Sequence, residues 1–186
     1  MEQLKINTIL LEMVDELMVK NGNTQMTREE YLHISSLVSN SNFLIFGTGN
    51  DTPLWKEANK EGTTLFLEND TRWVDKNDKN THIVNYTCTR PQAESLLQKY
   101  KEGNNEGLLM DYPEQLKDIV WDFILVDSPW DGSHGRMQSI YLASKLLKKN
   151  HTQIFLHDCD RWVENIYGRF FFGDNFKQFT KLRHFV

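Results

Sequence analysis

The residues best suited to chemistry fall at the ends of short apolar runs. Phe43–Phe46 is followed by Gly47-Thr-Gly49-Asn-Asp51. Glycines at such a point let the backbone turn sharply and approach a ligand closely. A tight strand-to-helix turn would explain that pair by itself. About twenty residues on, Thr64–Leu67 ends in Glu68-Asn69-Asp70, at the offset where nucleotide-type ligands find a carboxylate for their ribose hydroxyls. A dinucleotide would need a third glycine to bring its pyrophosphate to a helix N-terminus, and Thr52 stands there, preceded by Asp51. S-adenosylmethionine (SAM) carries a positive sulfonium and no phosphate, so it tolerates the aspartate. Gly47, Thr48, Gly49, Asp51, Glu68 and Asn69 are the expected cofactor contacts, joined by Asp127 from a later loop.

Two further runs end in chemistry-bearing residues: Phe123–Val126 in Asp127-Ser-Pro-Trp130, and Ile154–Leu156 in His157-Asp-Cys-Asp-Arg161. Each polar group has a structural explanation, such as a helix cap or a satisfied buried histidine. Several of them at neighbouring strand ends fit a site better, because burying polar groups without partners costs stability. Methyl transfer to a hydroxyl needs alignment and removal of a proton. Asp127, His157 and Asp158 are the expected catalytic groups. Asp127 and Asp158 could alternatively hold Mg²⁺ or Mn²⁺, which would acidify the hydroxyl. Trp130, His134, Arg136, Asp160 and Arg161 are expected on the acceptor side. Arg136 gains nothing from a helix start, so it is either an anion reader or half of an ion pair.

These loops need a frame. The apolar runs Phe43–Phe46, Thr64–Leu67, His82–Tyr86, Phe123–Val126 and Ile154–Leu156 alternate with helical stretches at Pro53–Lys60, Arg72–Lys76, Pro91–Lys101, Arg136–Lys149 and Arg161–Tyr167. Continuous apolar strands alternating with helices predict an α/β fold, a mostly parallel seven-stranded sheet covered by helices on both faces. Ligands of such sheets bind outside the C-terminal strand ends. Residues 1–40 predict an N-terminal helical extension: one helix over 4–20, and a second from Thr27, where Thr27-Arg-Glu-Glu30 reads as a capping box, to about Val38. Phe176–Val186 is expected to close the sheet edge as a strand pair.

The 186 residues suit one domain. A net charge of −5 without a basic stripe argues against nucleic acid. Cys88 and Cys159 lack disulfide-scaffold or metal-finger spacing. No run has the length of a membrane span and no signal peptide is visible, so the expectation is a soluble, cytoplasmic protein. The composition leaves the oligomeric state open.

Several motifs also carry a family resemblance, running in order from about residue 27 to the C-terminus. Asn42-Phe-Leu-Ile-Phe-Gly-Thr-Gly-Asn-Asp51 with Leu54-Trp55 is similar to the opening motif of the polysaccharide-biosynthesis methyltransferases typified by plant glucuronoxylan 4-O-methyltransferase. Thr64-Leu-Phe-Leu-Glu68-Asn-Asp70 with Trp73, Trp121-Asp-Phe-Ile-Leu-Val-Asp127-Ser-Pro129, Gly135-Arg-Met137 with Ile140-Tyr141, Phe155-Leu-His-Asp-Cys-Asp-Arg161 with Val163-Glu164, and Leu182-Arg-His-Phe185 follow in register. The resemblance implies a Rossmann-like class I SAM-binding fold and methylation of a sugar hydroxyl, in the plant case the 4-hydroxyl of glucuronic acid on xylan. It also implies a divalent cation, because such dependence is associated with the family. Some members serve xylan deposition without a clear methylation role, so a non-catalytic glycan-binding protein is the alternative. The sequence departs from the family in having no apolar Golgi anchor. It also has a shorter loop between Pro129 and Gly135, containing Trp130, Asp131 and His134.

Overall fold

The computed structural model describes residues 8–21, 26–75, 77–129 and 133–186. Seven strands form one sheet: β1 (Asn42–Phe46), β2 (Thr63–Glu68), β3 (Thr81–Ile83), β4 (Phe123–Val126), β5 (Gln153–Leu156), β6 (Phe176–Gln178) and β7 (Arg183–Phe185), in the order β3-β2-β1-β4-β5-β7-β6. The first five run parallel. β7 lies antiparallel to β5, and β6 antiparallel to β7. The sheet is therefore mostly parallel and strictly mixed, and the expected C-terminal strand pair closes its edge.

The strand period of two divides each central strand between two apolar layers. Leu44 and Phe46 face one layer, together with Ile124, Val126 and Leu156. The helices of that layer are α4 (Ala93–Lys101), α5 (Met137–Leu146) and α6 (Trp162–Phe172). Phe43 and Ile45 face the other layer with Phe66, Leu125 and Phe155. There the cover comes from α1 (Thr8–Asn21), α2 (Arg28–Ser35) and α3 (Thr52–Ala58). These strand side chains are almost wholly buried, and each contributes roughly 1.5–3 kcal/mol. The N-terminal helices are thus one of the two layers that make the sheet stable, rather than an appendage.

The capping box forms as the sequence predicts. Glu30 N–H donates to Thr27 Oγ1 at 3.3 Å, and Thr27 N–H donates to Glu30 Oε2 at 2.7 Å. The helix it starts is shorter than expected and ends at Ser35.

Two expected elements differ. A helix is expected over Arg72–Lys76, and its described part, Arg72–Asp75, does not form one; a single 3₁₀ turn spans Thr71–Trp73, started by Asp70 accepting from Arg72 N–H, and the chain is extended again at Val74. The strand expected over His82–Tyr86 pairs only at Thr81–Ile83, and the chain leaves the ladder after Val84 N–H bonds Glu68 O. The first change keeps Asp70, Arg72 and Trp73 over the strand ends, where they form one wall of the cleft described next.

Candidate active site

A cleft with about 230 Å³ of internal space opens at the C-terminal ends of β1, β2 and β4. All seven expected cofactor residues line it: Gly47, Thr48, Gly49, Asp51, Glu68, Asn69 and Asp127. Gly47 makes the turn at φ +114°, in the region that favours glycine. A Cβ there would stand 3.1 Å from Ser128 Cβ. Gly49 has no such constraint, because a Cβ on it would meet only the Asp51 carboxylate at 3.3 Å.

Glu68 differs from its expected role. Its Oε2 accepts from Thr48 N–H (2.7 Å) and Thr48 Oγ1 (3.0 Å), and its Oε1 accepts from Asn69 N–H and Asp70 N–H (both 2.7 Å). A carboxylate offers about four acceptor positions, and the protein fills them all. Glu68 therefore clamps the first loop to the second; the Asp70 carboxylate is taken by Arg72 in the same way, which leaves the Asn69 side chain beside it as the acceptor for a ribose hydroxyl.

The charged groups behind the cleft form one buried cluster. Asp127 Oδ1 lies 2.9 Å from His157 Nδ1 and 2.9 Å from Arg136 Nη2. Arg136 Nη2 also donates to Asp158 Oδ2 at 2.7 Å, while Nη1 donates to His157 O at 2.9 Å. Arg161 approaches the same Asp158 oxygen at 3.1 Å. Burial pushes the Asp127 carboxyl up, but the charges of His157 and Arg136 outweigh it and hold the group below the usual carboxylate range. Burial opposes the charge on His157, yet Asp127 prevails and raises its pKa. On its far side, His157 Nε2 faces Glu30 Oε2 at 4.0 Å. Glu30 is fully buried and accepts from Lys181 N–H (2.6 Å) and Leu182 N–H (2.8 Å) as well as from its capping partner. Asp51 behaves oppositely to Asp127. Burial, then the charge of Asp127, push its carboxyl up to about 7.

The expected site residues thus separate into groups. Asp127 lines the cleft, whereas His157 and Asp158 stand behind it, 2% and 5% exposed. His157 reaches the cleft only through Asp127. Arg136 is 1% exposed with its charge matched internally, so the ion-pair alternative describes it and an anion-reading role on the acceptor side does not. Arg161 is turned toward Asp158, and Asp160 is exposed. His134 forms a β-bridge with Thr89 and accepts from Arg90 Nε through its carbonyl, away from the cleft lining. Trp130 lies outside the described residues.

Asn21, Asp70, Arg72, Trp73 and Ser128 also line the cleft and were not expected there. Trp73 is half exposed at its rim, unlike the fully buried Trp55 and Trp121. Its place beside the second acidic motif was the available signal. Asn21 accepts a hydrogen bond from Asn50 of the glycine loop at 2.8 Å, a contact across 29 residues that no local pattern announces.

The metal expectation fares differently from the cofactor expectation. Asp127, His157 and Asp158 hold their ligand atoms within 4.8 Å of one another. The gap between the two carboxylates, however, is filled by the Arg136 guanidinium, so this donor set does not fit a divalent ion. The glycine loop and the cleft carboxylates Asp51 and Asp127 do fit a cationic, phosphate-free cofactor. No helix among the described residues is long and apolar enough to cross a membrane.

Comparison with known proteins gives this geometry a context. Arabinogalactan O-methyltransferase 1 of Arabidopsis thaliana is 34% identical over 157 residues, covering 70% of this chain and 54% of the relative. Glucuronoxylan 4-O-methyltransferase 1 of the same plant is 30% identical over 170 residues, covering 78% and 60%. Protein IRREGULAR XYLEM 15 is 33% identical over 155 residues, covering 68% and 48%. The chain spans about half the length of these curated relatives. A family model described as IRX15/IRX15L/GXM matches residues 29–185, from the first turn of α2 to the last strand and so across the loops after β1, β2 and β4 that line most of the cleft. The chain belongs to the IRX15/IRX15L/GXM family.

Proposed function

We propose that the chain is a SAM-dependent O-methyltransferase of Rossmann-like class I fold that acts on a sugar hydroxyl of a polysaccharide or other glycan, as the names of its relatives suggest. The observation that carries this reading is Asp127: a carboxylate facing the cleft opposite the glycine loop and kept ionised by the buried Arg136 and His157. When bound, SAM supplies an electrophilic methyl group on a cationic sulfur.

The protein's own residues supply the rest. Gly47 lets the loop approach the ligand without a side chain intervening. Asp51, with a carboxyl poised near neutrality, is the group matched to the cofactor's positive charges, because a nearby cation draws it into its ionised form. Asn69 is the acceptor left for ribose hydroxyls, and Trp73 offers an aromatic face at the rim. Asp127 would take the hydrogen bond of the acceptor hydroxyl and receive its proton as the new carbon–oxygen bond forms, the sulfur–methyl bond breaking with its electron pair left on a neutral thioether sulfur. His157 and Arg136 hold that carboxylate in one orientation and do not touch the acceptor.

The uronic acid 4-hydroxyl of glucuronoxylan and the sugars of arabinogalactan are the acceptors to test first, since the relatives are named for those polymers. The test is transfer of labelled methyl from SAM to each polymer, with calorimetry of SAM binding alongside. Asp127→Asn should keep SAM affinity within a few fold while turnover falls at least 100-fold, in line with loss of a general base. A variant that turns over normally would remove Asp127 from the chemistry. Absence of SAM binding at millimolar concentration would return the chain to the non-catalytic, glycan-binding alternative.

A further inference from the structure

We propose that Arg136 is the resident cation of this site: its guanidinium takes the place between Asp127 and Asp158 that a divalent metal would otherwise fill, and it orients the cleft carboxylate without a metal. The proposal concerns only this cluster and stands whether or not the acceptor is a sugar.

The geometry is that of a bridging ion. Asp127 ends β4, Asp158 follows β5, and Arg136 stands at the N-terminal edge of α5, so three separate elements converge on one point. A single nitrogen, Nη2, lies 2.9 Å from one carboxylate and 2.7 Å from the other. A magnesium or manganese ion bridging the same oxygens would sit at about 2.1 Å from each, in the gap that nitrogen fills. The guanidinium and the ion exclude each other both by volume and by charge.

The remaining donors strengthen the exclusion. Asp127 Oδ1 already receives His157 Nδ1, the ring nitrogen a metal would need, and Nη1 is held by His157 O. The side chain is 2% exposed, so leaving the gap would mean carrying a buried charge away from both its partners. Asp158 holds φ +60°, an uncommon conformation for a residue with a side chain, and there its carboxylate points at Arg136 and Arg161. Arginine suits the task because its planar fork serves several acceptors at fixed angles, which a lysine cannot do.

The test is Mn²⁺ binding followed by electron paramagnetic resonance on metal-stripped protein. Wild type and Asp158→Asn should give the same signal, with any Mn²⁺ retained by both bound elsewhere. Arg136→Met, which removes the charge and keeps much of the volume, should gain a Mn²⁺ site at least ten-fold tighter than anything in wild type, and adding Asp158→Asn should abolish it. Chelator-treated wild type should keep its SAM affinity within two-fold. Wild-type Mn²⁺ binding that Asp158→Asn destroys would overturn the proposal, as would a folded Arg136→Met that gains no site. Should Arg136→Met fail to fold, the comparison of wild type with Asp158→Asn decides on its own, since both retain the arginine.

Discussion

Replacing Glu68 by Gln separates a loop clamp from a ribose reader. In the wild type the two carboxylate oxygens receive four protein donors, three of them backbone N–H groups at 2.7 Å. A glutamine amide keeps one oxygen for two of these donors and turns an NH₂ group toward the other two. The Thr48 hydroxyl can rotate to accept, but at least one backbone N–H must then face another donor. One hydrogen bond to a charged acceptor is lost outright, at about 2 kcal/mol, and the weakening of the others brings the total to about 3 kcal/mol. For a chain of this size that lowers Tm by roughly 6–12 °C.

The loss should appear in protein without any ligand, because the clamp operates before SAM arrives. Urea unfolding of the ligand-free protein is the assay, with SAM calorimetry as its companion. A ribose reader would behave in the opposite way, leaving ligand-free stability untouched and surrendering affinity. If Glu68→Gln unfolds within about 0.5 kcal/mol of wild type, inside the usual range for a surface substitution, while SAM affinity falls ten-fold, the clamp argument is refuted.

Three other perturbations probe neighbouring parts of the argument. Gly47→Ala forces a side chain into φ +114° against Ser128 and should cost on the order of 1–3 kcal/mol together with SAM binding, whereas Gly49→Ala should be mild in both; equal effects would show that the loop geometry is misassigned. The Asp51 carboxyl is harder to ionise when folded, where its pKa is about 7, than when unfolded, so it subtracts stability as pH rises toward and through 7. Asp51→Asn should therefore be more stable than wild type at pH 8, on the order of 1–2 kcal/mol, with the gain gone by pH 4 and with SAM binding weakened; thermal scans at both pH values check it. His33 and His184 share a 3.0 Å hydrogen bond, and burial, reinforced by Lys177, lowers both to about 4. The unfolded chain takes up those protons first, so stability present above about pH 6.5 is lost as pH falls toward 4, by at most about 1.4 kcal/mol per pH unit for each proton. Urea unfolding of His33→Phe should show a shallower slope over that interval, and an unchanged slope would place the proton uptake elsewhere.

What the sequence disclosed was what local pattern encodes. The capping box at Thr27 and Glu30, four of the five parallel strand runs and the glycine turn each depend on residues a few positions apart, and each forms where its spacing placed it. The cleft was legible for a related reason: in a parallel sheet the loops after β1, β2 and β4 must share an edge, so residues named from loop position alone meet in space. The misplaced residues are those whose partners lie far along the chain. Arg136 invites an anion-reading role only while Asp127 and Asp158 are treated as belonging to other loops, and once β4 and β5 lie side by side its charge has a closer claim. Glu30 satisfies its local role completely, yet its second oxygen holds the backbone of Lys181 and Leu182, about 150 residues away. That bond joins the N-terminal layer to the C-terminal strand pair directly behind His157. Loosening either end would alter the support of Asp127 without touching the cleft, which is why these helices, peripheral in the sequence, belong to the site in the structure.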